Sequence, residues 1–293
     1  MRRRLRVLLG GLFFRDYTGS ELYMFELARA LAPLECDVTI AAMKTGGRLA
    51  ALAESTGLTV RTFVDLPGQA FDIVHAQQTP AVTRLLRLVP GVPMVSTIHS
   101  EVLALEEPVK ADAIRHYIAI RPSIADHLVN RCGLPSSLVD LIHNPIDVAR
   151  FNREGTSQEP AVLFVGTLDP LRKAAIFDLV AHTRERGQQL WVVGKNHGDY
   201  LDALRRESHV RYFKPRFDVE VLTKRCAETA GILLGRTTIE GWLCGKPGWI
   251  FDVNRDGHVL SKTRCEPPVD LAPFAATTVA MQVRSVYDRI LRR

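Results

Sequence analysis

Between positions 235 and 251 the sequence reads GRTTIEGWLCGKPGWIF, a glycine-bounded polar turn opening into a short helix with one carboxylate, Glu240. The apolar runs on either side, 231–234 and 248–251, have the length and composition of buried strands, so the segment should run strand, loop, helix, strand. A helix that starts this way leaves backbone N–H groups unpaired at the positive end of its dipole, which suits phosphate. A carboxylate one turn further in can accept hydrogen bonds from ribose hydroxyls, and Glu240 is therefore the first candidate for holding a nucleotide. Its plainer reading is a carboxylate near a helix start that the dipole alone favours.

The elements that must position this helix are legible along the whole chain. Strands are expected at 5–9, 38–42, 59–64, 73–75, 94–98, 117–120 and 139–142, and in a second series at 161–165, 190–193, 210–213, 231–234 and 248–251. Helical patterns fill the gaps. The clearest carries Met24, Leu27, Ala28 and Leu31 at i, i+3, i+4, i+7 behind Thr18, Gly19, Ser20 and Glu21, and Pro33 stops it. This rhythm predicts an α/β protein of two Rossmann-like, doubly wound parallel-sheet domains. The polar stretch FNREGTSQEP at 151–160 marks a linker, which gives domains over 1–153 and 154–293. A closing helix over about 272–293, with Val279, Val283, Val286 and Ile290 on one side, is able to pack back on the first domain. Ligands of such sheets bind at the C-terminal strand ends, so the active site is expected in the cleft between two domains that face each other.

Bulk composition narrows the function classes. At 293 residues the chain exceeds one ordinary core, and 46% hydrophobic with 24% charged residues is the balance of a globular protein. No apolar run reaches the roughly 18 residues needed to cross a bilayer, and LRVLLGGLFF reads as a first strand instead of a signal peptide, so a cytoplasmic location is expected. Five widely spaced cysteines without a CxxC support neither a disulfide framework nor a zinc site. The net charge of +6 would favour an anionic ligand or nucleic acid, but part of it lies in the runs Arg2–Arg4 and Arg292–Arg293, which read as solvated tails.

The order of motifs resembles the GT-B glycosyltransferases, and among them the retaining family 4 enzymes. In sequence order these are GGLFFRDYTGSELYMFELARAL, FDIVHAQ, PMVSTIHS, YIAIRPSIADHL, LIHNPIDVARF, AVLFVGTLDPLRK, LWVVGKNHG and TTIEGWLCGKPG, which together span most of the chain. The resemblance implies transfer of a sugar from a nucleotide diphosphate donor to an unidentified acceptor, with retention at the anomeric carbon. Glu240 matches the second Glu of the family's Glu-x7-Glu motif, which holds the nucleotide ribose. The first Glu falls on Ile232, and Arg236, Thr237 and Thr238 can take over part of its sugar-side role through backbone N–H groups and hydroxyls. Thr167 stands where an arginine of the diphosphate clamp is expected, with Arg172 and Lys173 around the position of its lysine. His99 matches a histidine near the transferred sugar, Gly19 a glycine that lets backbone approach the donor, and Gly166 and Gly194 complete the donor-binding set. No cofactor and no metal are implied, and no DxD occurs in the sequence.

Plainer readings stand beside these. Arg172 and Lys173 fit solvated helix-start charges, and His99 fits a satisfied core histidine. His75, His116, His143 and His258 read as structural or exposed, and Asn144 and Asp147 as turn formers. Gly10 and Gly11 lack GxGxxG, which disfavours a dinucleotide oxidoreductase. The alternatives are a transferase glycosylating nucleic acid or protein, as in phage-type modification, a nucleotide-sugar epimerase, or a catalytically silent nucleotide-sugar binding protein. The oligomeric state is not encoded in any motif.

Overall fold

The computed structural model describes residues 3–292. Arg2 and Arg293, read above as parts of solvated tails, lie outside the described residues. Arg3 and Arg4 are tied down at the surface: Arg3 pairs with Asp72, and Arg4 donates to the carbonyls of Ala32 and Cys36, each at 2.6 Å.

In chain order the first half contains β1 (Leu5–Phe14), α1 (Gly19–Leu31), β2 (Cys36–Thr45), α2 (Gly47–Ser55), β3 (Thr59–Thr62), β4 (Ile73–Gln77), α3 (Thr79–Leu88), β5 (Met94–Ile98), β6 (Ile114–Ala119), α4 (Pro122–Asp126) and β7 (Val139–Leu141). A π-helical turn, His127–Arg131, continues α4. The second half contains β8 (Glu159–Val165), α5 (Pro170–Glu185), β9 (Gln189–Val193), α6 (Tyr200–Arg205), β10 (Val210–Phe213), α7 (Glu220–Arg225), β11 (Cys226–Ile232), α8 (Arg236–Leu243), β12 (Gly248–Val253), β13 (Val259–Cys265) and the closing helix α9 (Ala276–Leu291).

Two compact units result, Met1–Pro145 with Pro273–Arg293, and Ile146–Ala272. The stretch 151–160, read above as the linker, lies inside the second unit. Polar as it is, it is anchored there by the buried Phe151, by Ser157 N–H donating to the Lys224 carbonyl (2.9 Å) and by Lys224 Nζ donating to Asn152 Oδ1 (2.9 Å). The closing helix groups with the first unit, where α9 packs on α1 through the buried Val279, Val283, Val286 and Tyr287.

The first unit's sheet is parallel throughout, in the order β3-β2-β1-β4-β5-β6-β7. The second unit's sheet runs β10-β9-β8-β11-β12-β13, parallel except for the antiparallel β12–β13 pair. Strand order reverses at β1/β4 and at β8/β11, and doubly wound sheets bind ligands outside the strand ends at such switch points. The helix stripe behaved as its spacing predicted: Met24, Leu27, Ala28 and Leu31 are all buried.

β1 and β2 run longer than expected, and two strands of the second unit differ further. Of the run at 231–234 only Gly231 and Ile232 are strand, the end of β11, which begins at Cys226; Glu228 and Thr229 interrupt the apolar pattern but are buried, and Glu228 accepts from Trp249 Nε1 (2.8 Å) and Arg264 Nε (2.9 Å). β13 was not expected at all. It is an edge strand with little burial, so its residues carry no core signal.

Candidate functional site

In the second unit the candidate residues gather at the C-terminal strand ends. β11 stops at Ile232, and Leu233 takes φ 60°, a left-handed conformation that a leucine adopts only where its surroundings impose it. This turn redirects the chain into α8, whose N-cap is Gly235. Gly241 seats α8 against β11, since a Cβ there would stand 2.5 Å from Thr229 Oγ1. Glu240 is thereby held at 3% exposure and accepts from Arg236 Nε at 2.6 Å, an i,i+4 pair that keeps the buried carboxylate compensated. A carboxylate has lone pairs for several hydrogen bonds, so this pairing leaves capacity for hydroxyl donors.

The two threonines turn inward instead of offering hydroxyls to a ligand. Thr237 Oγ1 donates to the Val165 carbonyl at the end of β8 (2.9 Å). Thr238 is fully buried, its Oγ1 has no hydrogen-bond partner, and its methyl fills the space that a Cβ on Gly248 would need. Only their backbone N–H groups, in the first turn of α8, remain as contributors to an anion site.

Next to α8, β8 leads into Gly166 and Thr167, both partly exposed. Gly166 N–H donates to the Val193 carbonyl (2.9 Å), and a Cβ on Gly194 would stand 1.8 Å from the Gly166 carbonyl oxygen. Gly194 is thus required for the close approach of two strand ends and is itself buried. Asp169 caps α5, accepting from Arg172 N–H (3.1 Å) and pairing with the Arg172 guanidinium. Lys173 is exposed, with Nζ 5.3 Å from the centre of the Tyr200 ring. Lys246, an alternative cation for a diphosphate, is buried and donates to the Ser157 carbonyl, which removes it from that role.

In the first unit the strand ends carry His99, Gly19 and a set of residues that sequence reasoning missed. Gly19 opens α1; it is exposed, and nothing lies within 4 Å of the position a Cβ would take. His99 follows β5. Its Nε2 is 2.6 Å from Gln77 Oε1, and because the Gln77 amide donates to the Ser20 carbonyl (2.9 Å), Oε1 is the acceptor and Nε2 carries the hydrogen. The other ring nitrogen, Nδ1, is then an acceptor. Burial holds the ring neutral, pushing its pKa down to about 3, and the nearby Arg121 charge acts in the same sense.

Glu106 lies behind His99. Its carboxylate accepts the His99 backbone N–H (3.0 Å), and burial pushes its pKa up to about 8. Arg121 reaches the His99 carbonyl (3.3 Å) and pairs with Glu101. Arg121 lies within the YIAIRPSIADHL motif, which did not single it out, while Glu101 and Glu106 lie outside the quoted motifs; what reveals them is the burial of Glu106 and Arg121 as charged residues, with Glu101 partly buried beside Arg121. Among the described residues, the one His, Cys, Asp and Glu group with metal-ligand proximity is Glu107, His127 and Cys132, and none of the predicted site residues belongs to it.

Residues 17–150 match the family described as Glycosyltransferase Family 4. Three solved structures are similar over nearly the whole chain. An Anabaena protein, HepE, in complex with UDP and glucose is 16% identical at TM-score 0.66, over 98% of this chain and 91% of its own. AviGT4, a glycosyltransferase involved in avilamycin A biosynthesis, is 17% identical at TM-score 0.66, over 98% of each chain. The pneumococcal O-GlcNAc transferase GtfA in complex with UDP and GlcNAc is 8% identical at TM-score 0.72, over 100% of each chain. At these identities the likeness is one of fold. No curated protein matches the sequence significantly. The two units have the GT-B fold of these structures, and the family match covers residues 17–150 of the chain.

Proposed function

We propose that the protein transfers a sugar from a nucleoside diphosphate sugar to an acceptor, with retention of configuration and with no divalent ion in the chemistry. The observation that carries the donor assignment is Glu240: a carboxylate at 3% exposure, at a sheet switch point, on the helix whose first N–H groups open beside the ends of β8 and β11. In this reading ribose hydroxyls donate to Glu240, which Arg236 orients. The diphosphate meets the α8 N-terminus and the cations of Arg172 and Lys173, whose attraction grows as the glycosidic bond breaks and negative charge develops on the leaving group. His99, neutral, offers hydrogen bonding and no charge. UDP sugars are the first donors to test, since HepE and GtfA were each solved with UDP and a sugar. Retention rests on the resemblance to family 4. Among the described residues no helix is long and apolar enough to cross a membrane, and a cytoplasmic setting belongs to the same reading.

The test is a thermal-shift screen of UDP, GDP, TDP and ADP sugars followed by donor hydrolysis. A donor at a hundredfold excess over its dissociation constant adds about 2.7 kcal/mol to stability. No stabilisation by any donor would overturn the assignment. Binding without hydrolysis or transfer would favour a catalytically silent binding protein, the reading that Ile232 and Thr167, standing at the family's Glu and Arg positions, support. Turnover should also persist in excess EDTA; a loss restored by magnesium or manganese would refute metal-free chemistry.

A further inference from the structure

Glu107, His127 and Cys132 take no part in the glycosyl-transfer reading, yet the first unit brings them together. A carboxylate oxygen, an imidazole nitrogen and Sγ all lie within 4.8 Å of one another, each residue partly buried. The closest pair, His127 Nε2 and Cys132 Sγ, is 3.3 Å apart. Residues five apart on an α-helix point about 140° away from each other. Here they share a face because 127–131 is a π turn, closed by Cys132 N–H donating to the His127 carbonyl at 2.9 Å. Such turns are rare and concentrate at functional sites. The flanking segments are fixed as well: Lys110 Nζ donates to the Cys132 carbonyl (2.5 Å) and Thr79 Oγ1 to the Glu107 carbonyl (2.6 Å).

We infer that Cys132 Sγ, His127 Nε2 and a Glu107 carboxylate oxygen form a binding site for a zinc-class divalent ion, with water in the fourth position. Sulfur, nitrogen and oxygen ligands in this combination select zinc over the harder magnesium and calcium ions. Zinc bonds of about 2.0 to 2.3 Å in a tetrahedron put ligand atoms roughly 3.3 to 3.8 Å apart, so the trio needs to close by only about 1 Å. Binding converts the thiol to a thiolate, and its proton passes to solvent. The ion would fasten the π turn to the loop whose preceding residue, Glu106, accepts the His99 backbone N–H. It positions that loop and takes no part in the transfer.

Cobalt(II) tests this on the full, tag-free chain kept reduced with a phosphine. The expected result is saturable binding with a thiolate-to-cobalt charge-transfer band, displaced by zinc and lost in Cys132→Ser, whose fold is checked by circular dichroism. Absence of the band in the unsubstituted chain would overturn the proposal without recourse to a variant. A band that survives in Cys132→Ser would overturn it too, because another of the five cysteines would then be the ligand. Any effect of EDTA through this site is restored by zinc and not by magnesium, which separates it from metal dependence of the transfer itself.

Discussion

The two units use the same backbone device and opposite electrostatics. In each, a non-glycine residue in the left-handed region follows the strand beside the switch point: Gln78 (φ 69°) after β4 and Leu233 (φ 60°) after β11. Beyond these turns the units diverge. In the first, polar groups at and beneath the strand ends form a sealed, mostly neutral network. His75 bridges Tyr287 OH and Thr97 Oγ1 at 2.6 Å each, Tyr23 OH meets Thr97 Oγ1 at 3.2 Å, and burial pushes the pKa of His75 down to about 3, as it does for His99. In the second, the strand ends carry charge: Glu240 with Arg236, Asp169 with Arg172, and the exposed Lys173. A neutral network suits the hydroxyls of an uncharged sugar. In the proposed reading a diphosphate meets the positive potential of the second arrangement, whereas the Arg121 charge of the first unit is paired with Glu101.

Removing the carboxylate at the centre of the charged cluster should have the largest effect. Glu240→Ala leaves Arg236, with 10% of its side chain exposed, buried without its acid, and breaking such a pair costs about 3 to 5 kcal/mol. Loss of the charged acceptor should weaken nucleotide binding by a further 1.5 to 3 kcal/mol or about that. Arg236→Met combined with Glu240→Gln should recover stability, read by urea unfolding, without recovering UDP binding, read by calorimetry. UDP bound as tightly by this pair as by the parent would remove Glu240 from the donor site.

The second comparison concerns charge that matters only during reaction. Replacing Arg172 and Lys173 together with Gln should lower turnover on the order of 100-fold while changing nucleoside affinity little, since the diphosphate becomes most negative in the transition state. An unchanged rate would leave the α8 N-terminus as the main source of positive potential.

The smallest effect belongs to the neutral cluster and is read through pH. Glu106 has a folded pKa of about 8, above the unfolded carboxylate value. The folded state therefore holds a proton that the unfolded state releases, and the resulting stability is complete at acid pH and lost as pH rises towards 8. Glu106→Gln mimics the protonated form. It should match the parent most closely near pH 5 and exceed it near pH 8.5, measured by denaturant unfolding. With its pKa lowered to about 3, His99 should contribute no inflection to kcat/KM between pH 5 and 8; an inflection there that His99→Gln abolishes would show that the ring is charged and the unit less sealed than described.

Local spacing determined much of this protein. The alternation of apolar runs and helical stripes predicted two parallel sheets, and the short loop before Glu240 predicted a helix start at the end of a strand; both are properties of contiguous residues, where period and turn chemistry act. Tertiary structure decided what depends on partners distant in sequence. Glu228 and Thr229 looked unlike a core strand until Trp249 and Arg264 supplied partners for the carboxylate. Thr237 looked available to a ligand, but the Val165 carbonyl takes its hydroxyl proton. The stretch 151–160 has the composition of a linker, yet contacts with Lys224 bind it to one unit. Glu107, His127 and Cys132 have no metal-site spacing, and only a π turn and a returning loop bring their ligand atoms together. Burial and pairing arise from chain segments that close on one another, and no local pattern carries that information.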